Sequence, residues 1–135
     1  MRGTKPNLST DPDALGYVPA PDWLAEEAAK EWHRVMPILT ERHILTDADL
    51  GSLENYCIAI GTVRDMEAHL QEHGHVTKDI EGRMKRNPAV GIQSDAMTRA
   101  RLLAAELGLT PVSRSRPAIR EEDPTNDGDN PLDVS

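Results

Sequence analysis

Between residues 24 and 39 the apolar side chains Leu24, Ala28, Trp32, Val35 and Leu39 recur at steps of three and four, the period of one helical face. Asp22, which follows Pro21, is a suitable N-cap for this first helix. Glu26, Glu27 and Glu31 fall early in it, where negative charge suits the positive helix pole, and they read as a solvated face. Pro37 predicts a kink, or an end near Met36, because an interior proline removes a backbone donor.

The second periodic stretch is the longest. Leu50, Leu53, Cys57, Ile60, Val63, Met66 and Leu70 form one apolar stripe, entered through Thr46-Asp47-Ala48-Asp49, a capping-box pattern with Asp49 in place of the preferred glutamate. Gly74 is a natural stop. A span of roughly 27 residues at ~1.5 Å rise is about 40 Å long. One small domain cannot cover such a helix, so it is expected to form a long antiparallel helical hairpin and to use the stripe against other chains.

The pattern then breaks. Val76, Ile80 and Met84, with Gly82 among charged residues, fit either a small β-hairpin near 75–86 or a flexible loop. Asn87-Pro88 supplies an N-cap and a first-turn proline for a third helix, whose expected apolar face is Ile92, Ala96, Ala100, Leu103 and Leu107. Gly108 ends it, and Thr110-Pro111 offers a restart. Residues 1–20, with Pro6, Pro12 and Pro19, read as a flexible arm, and residues 117–135 as a disordered acidic tail. The expectation is an all-α domain over 21–116 between two tails.

Composition sharpens this picture. The chain of 135 residues has no Phe and only 3% aromatics, so its core must come from Leu, Ile, Val, Ala, Met and two Trp. Small domains bury a smaller share of their surface, which favours oligomerisation. The single cysteine, Cys57, excludes an intramolecular disulfide and suits a reducing compartment. No apolar run suggests a membrane span or a secretory signal.

The net charge of −8 is unevenly spread. Residues 1–82 carry seven Lys/Arg against fifteen Asp/Glu, whereas residues 83–116 carry Arg83, Lys85, Arg86, Arg99, Arg101, Arg114 and Arg116 against only Asp95 and Glu106. The tail from 117 sets Arg120 against six acids. A polyanion such as DNA would therefore meet one basic segment, together with Arg2 and Lys5 of the arm. The bland alternative is that these arginines pair with acids across a subunit boundary.

Catalytic signatures are few. His69-Leu70-Gln71-Glu72-His73 matches the H-x-x-E-H arrangement of some zinc peptidases, in which two imidazoles one turn apart bind metal and the glutamate acts as base. The bland reading is the polar end of a helix, and no metal or other cofactor is expected. Cys57 lies on an apolar stripe, where a core residue is expected rather than a nucleophile. No phosphate-binding loop is present.

Several segments taken together carry a resemblance. Leu45-Thr46-Asp47-Ala48-Asp49 leads into Leu53 and Tyr56-Cys57; Asn87-Pro88-Ala89 follows; and Glu106-Leu107-Gly108-Leu109-Thr110-Pro111 continues through Ser113-Arg114-Ser115-Arg116. In order and spacing, with the first helix bearing Trp32, residues 20–117 resemble the small terminase subunit family of tailed bacteriophages. The resemblance implies a non-enzymatic, mostly helical protein that assembles into a homo-oligomeric ring in the host cell cytoplasm. It also implies recognition of viral DNA at packaging initiation and regulation of the large terminase subunit, which holds the ATPase and nuclease. Many members carry an N-terminal helix-turn-helix, which residues 1–20 do not resemble, so Arg2, Lys5 and the basic residues of 83–116 become the DNA candidates. The acidic tail is a candidate dock for the large subunit. Two other readings remain at this point: a helical adaptor that binds only protein, and a small zinc hydrolase using His69, Glu72 and His73.

Overall fold

In the computed structural model, which describes residues 12–111, the other two helices are arranged around one long central helix. The order is α1 (Glu26–Arg42), a single 3₁₀ turn (Asp47–Asp49), α2 (Leu50–His73), β1 (Val76–Lys78), β2 (Met84–Arg86) and α3 (Pro88–Glu106). The 24 residues of α2 extend about 36 Å, and both α1 and α3 pack against it. The fold is thus mostly helical with one two-stranded antiparallel sheet, so the hairpin alternative for 75–86 is the one adopted.

α1 differs from expectation at both ends. It starts at Glu26 after Ala25, and Asp22 instead lies in the preceding turn, where the Leu24 amide donates to the Pro21 carbonyl at 3.2 Å. The helix neither ends near Met36 nor breaks at Pro37, but continues to Arg42 and stops at His43, whose φ of 57° is left-handed. Pro37 and His33 are both exposed. The His33 carbonyl that loses its partner therefore reaches water, while Val35, Met36 and Leu39 stay buried on the opposite side.

The entry to α2 is as the sequence indicates. The Thr46 amide and hydroxyl donate to the Asp49 carboxylate at 2.9 and 3.0 Å. The stripe, however, turns inward. Leu53, Cys57 and Leu70 are buried within the chain and offer a second copy no surface, while Leu50, Ile60, Val63 and Met66 are half-buried. A helix packed on two sides buries more than one stripe, and here Tyr56, Ala59 and Gly61 are buried as well. A Cβ at Gly61 would lie 2.9 Å from the Ala28 backbone nitrogen, so α1 and α2 cross at a point that admits no side chain.

α3 runs antiparallel to α2. Gln93 near its start donates to the Val63 carbonyl (3.3 Å) and to Glu67 (2.8 Å), while Leu102, Leu103 and Glu106 lie beside Asn55 and Ile58. Its buried face is Ala89, Gln93, Ala96 and Ala100, with Ile92 49% exposed. Of the expected face, Ala96, Ala100 and Leu107 are buried and Leu103 packs against the core, while Ile92 is displaced by its neighbour Gln93, whose amide is satisfied inside. Gly108, at φ 76°, ends the helix, and the Arg42 guanidinium donates to its carbonyl, tying the ends of α1 and α3 together.

From Pro12 onward the expected free arm lies against the helices. The Leu15 amide donates to the Leu45 carbonyl at 2.7 Å, Trp32 Nε1 donates to the Val18 carbonyl at 2.8 Å, and Tyr17 Oη lies 3.0 Å from His33 Nδ1. Arg2, Lys5, Arg114, Arg116, the restart beyond Pro111 and the acidic tail lie outside the described residues.

Two glycines of α2 should respond with opposite signs. Gly61→Ala should destabilise by about 1–3 kcal/mol, because overpacking against backbone exceeds the propensity gain. Gly51→Ala, which meets nothing within 4 Å, should stabilise by up to about 1 kcal/mol. Denaturant unfolding of both variants measures the pair.

Candidate nucleic-acid interface

The basic segment begins in the β-hairpin. Its register pairs Val76 with Arg86, Thr77 with Lys85 and Lys78 with Met84. Directly opposed residues share a face, so Lys78 and Arg86 lie on one side with Val76 and Met84, and Lys85 lies on the other with Thr77. The connection is a tight turn in which the Gly82 amide donates to the Asp79 carbonyl at 2.9 Å and Gly82 takes a φ of 84°.

An isolated two-stranded hairpin is marginal, and Asn87 anchors this one. The Asn87 amide donates to the His75 carbonyl (2.8 Å), its side-chain nitrogen to the Gly74 carbonyl (2.9 Å), and its side-chain oxygen accepts from the Ala89 amide (2.9 Å). One buried side chain thus closes the hairpin base and caps α3.

The structure does not gather the candidate cations into one patch. Arg83 is engaged within the turn, its Nε 2.9 Å from Asp79 and its Nη2 2.6 Å from Glu81. The Arg83 amide and guanidinium in turn hold the Asp79 carboxyl below its usual range. On α3, Arg99 and Arg101 are about 200° apart around the helix axis. Arg99 lines the groove between α2 and α3, while Arg101 points to the other flank. Among the described residues, no ion pair engages Lys85, Arg86, Arg99 or Arg101. Lys78 is an exposed, equally unpaired cation that the charge map overlooked, because the map divided the chain between the two strands. Strand pairing of 76–78 with 84–86 was the signal that would have joined Lys78 to Arg86.

A second charge cluster lies inside. Glu31, read from sequence as solvated, has a side chain only 1% exposed. Its carboxylate accepts from Arg34 Nε and Nη2 (2.9 and 2.6 Å), Tyr56 Oη (2.6 Å) and Arg64 Nη2 (2.7 Å). Burial is the largest influence and pushes its pKa up, but the bonds from Arg34, Tyr56 and Arg64 together outweigh it and hold the group below its ordinary value. Burial, then the bond to Glu31, pushes the Tyr56 hydroxyl up to about 12. Cys57 next door is also pushed up to about 12, by burial first and Glu31 second, and this suits a core thiol rather than a nucleophile. The missed signal was periodicity: position 31 is three beyond Ala28 and four before Val35, on the apolar face itself.

His69 and His73 sit one turn apart on the exposed end of α2, with ring centroids 4.5 Å apart, while Leu70 between them is buried. Among the described residues, no group of three His, Cys, Asp or Glu is placed to hold a metal ion, so the zinc-hydrolase arrangement lacks a third ligand there. No helix of the described residues is long and apolar enough to cross a membrane.

Residues 28–124, from the first turn of α1 through the hairpin, α3 and the chain beyond it, match the family described as the phage terminase small subunit. The chain belongs to that family. No curated protein and no solved structure matches it. Membership places the subunit in phage DNA packaging, and the matched span contains the Glu31 cluster, the anchored hairpin and all the basic positions of 83–116.

Glu31→Gln should destabilise the subunit by about 3 kcal/mol, the low end for a broken buried ion pair, because the half-exposed Arg34 and Arg64 can rehydrate. A folded-state pKa below the ordinary value means that this contribution is present in full above about pH 5 and is lost as pH falls through the folded pKa. Unfolding free energies measured from pH 7 down to 3 should converge for wild type and variant at the acid end.

Proposed function

We propose that this chain is the DNA-recognising, regulatory subunit of a packaging terminase. It assembles as a homo-oligomeric ring in the host cell cytoplasm, binds viral double-stranded DNA at packaging initiation, and recruits and regulates the large subunit that holds the ATPase and nuclease. It performs no catalysis itself. Family membership over residues 28–124 is the observation that carries this reading. The structure supplies its physical support: exposed, unpaired cations on a hairpin whose base is fixed by a buried asparagine. Fixed cations exchange phosphate counterions for protein charge without first having to be ordered.

Within this reading Lys78, Lys85, Arg86 and Arg101 are the DNA-facing cations among the described residues, and Arg2, Lys5, Arg114 and Arg116 add charge from the segments beyond. Arg83 is the weakest candidate, since two carboxylates already neutralise it. The acidic segment after Arg116 is the proposed dock for the large subunit.

A second reading, a protein-only adaptor, is favoured by one observation: Arg99 borders an apolar groove rather than an open basic surface. DNA titration separates the two. Replacing Lys85 and Arg86 together by Glu should lower affinity for duplex DNA and reduce the slope of log K against log salt by about 2, close to 1 per lost phosphate contact. Replacing Arg83 by Glu should change that slope far less. A wild-type protein with no measurable affinity for cognate or random duplex at low salt leaves the adaptor reading standing.

A further inference from the structure

Three cations of the hairpin meet no acid among the described residues. The segment carries Lys78, Arg83, Lys85 and Arg86 against Asp79 and Glu81, and Arg83 takes both carboxylates. The nearby acids of α2 are engaged elsewhere: Glu67 accepts from Gln71 and Gln93, and Glu72 lies 3.8 Å from His73. Strand register places Lys78, Lys85 and Arg86 in three adjacent rows, within about 7 Å along the ribbon. Arg99 differs, since it shares the α2–α3 groove with Glu106.

We propose that the acidic segment 117–135 pairs with Lys78, Lys85 and Arg86 of its own chain and so competes with DNA for them. The inference rests on the DNA-binding reading above and adds its regulation. Charge selects the occupant: the segment sets Glu121, Glu122, Asp123, Asp127, Asp129 and Asp133 against Arg120 alone. Length permits it. The described chain ends at Pro111, held at the far end of α3 by the bond from the Leu109 amide to the Ala104 carbonyl at 2.8 Å and by the Arg42 guanidinium on the Gly108 carbonyl. The 19 residues of α3 put the hairpin about 28 Å from that end. Glu121 is the tenth residue beyond Pro111, a contour of roughly 33 Å, and every later acid has more chain to spend. Tethering makes the encounter intramolecular, and carboxylates there occupy the cations that phosphates would take. A partner that captures the segment therefore frees the hairpin for DNA, and by linkage DNA favours that capture in return.

The test compares the full chain with a chain ending at Arg116 and with a full-length variant whose six tail acids are replaced by their amides. Both altered forms should bind duplex DNA on the order of tenfold more tightly at low salt, with the gain shrinking as salt rises. The gain should vanish when Lys78, Lys85 and Arg86 are all replaced by Gln, three exposed positions whose substitution leaves circular dichroism unchanged. A second readout needs no DNA. Carbodiimide cross-linking of the full chain, read by mass spectrometry, should join the Lys78 or Lys85 amine to a carboxylate between Glu121 and Asp133. In a mixture of isotopically light and heavy subunits the joined peptides should be of one isotope.

Equal affinity of the full and shortened chains for duplex overturns the proposal and leaves the DNA reading intact. Binding by neither form overturns the DNA reading and the competition with it. A gain that persists undiminished without the three hairpin cations means that the segment screens Arg114, Arg116 or the N-terminal arm instead, and the proposal is wrong. Cross-links found only between light and heavy subunits place the segment on a neighbouring copy and overturn the pairing within one chain.

Discussion

A single carboxylate joins the two helices on which the rest of the fold is arranged. Glu31 projects from α1 toward α2 with almost no contact with water and accepts hydrogen bonds from Arg34 on its own helix and from Tyr56 and Arg64 on the other. Removing an ionised group from water is expensive, and only a full set of donors offsets it. That requirement fixes α1 in rotation and in height, since a shift of one residue would strand the charge. The close crossing of Ala28 and Gly61 lies one turn away and fixes the separation. In a chain with no Phe and few other aromatic residues, these two constraints do what bulk burial does in larger cores.

Much of the architecture was legible because it is punctuated by residues with narrow backbone preferences. Thr46 with Asp49, Gly74, Asn87-Pro88 and Gly108 each mark an element boundary where the structure has one. The failures share a physical cause: a one-face reading fails where tertiary contacts act on a second face. α2 is packed on two sides, so Leu53, Cys57 and Leu70 of its stripe serve the chain's own core, while Leu50, Ile60, Val63 and Met66 stay half-buried. α3 approaches α2 through alanines and Gln93, a polar residue that a hydrophobic count cannot place inside. Pro37 did not end α1 because its missing donor faces water, a matter of which side of the helix is covered.

The candidate site was legible in composition but not in geometry. Sequence located the excess of cations correctly, yet the positions sort into unlike environments: Arg83 neutralised, Arg99 beside apolar surface, Arg101 on the opposite flank, Lys85 and Arg86 on opposite faces of a hairpin. Lys78 joins them through strand pairing, which no linear charge map includes. The same folding step that anchors the hairpin through Asn87 also lifts Ile80 clear of the body. The exposed cations of the hairpin and its exposed apolar side chains therefore share one small projection.

The proposed function makes assembly and DNA binding properties of the same particle, and mass alone can read both. The most direct measurement is native mass spectrometry of the full-length subunit, with and without a duplex containing the packaging initiation site. The account predicts one closed oligomer of fixed copy number that takes up the duplex as an intact particle. A monomer that stays monomeric and free of DNA at low ionic strength would contradict it.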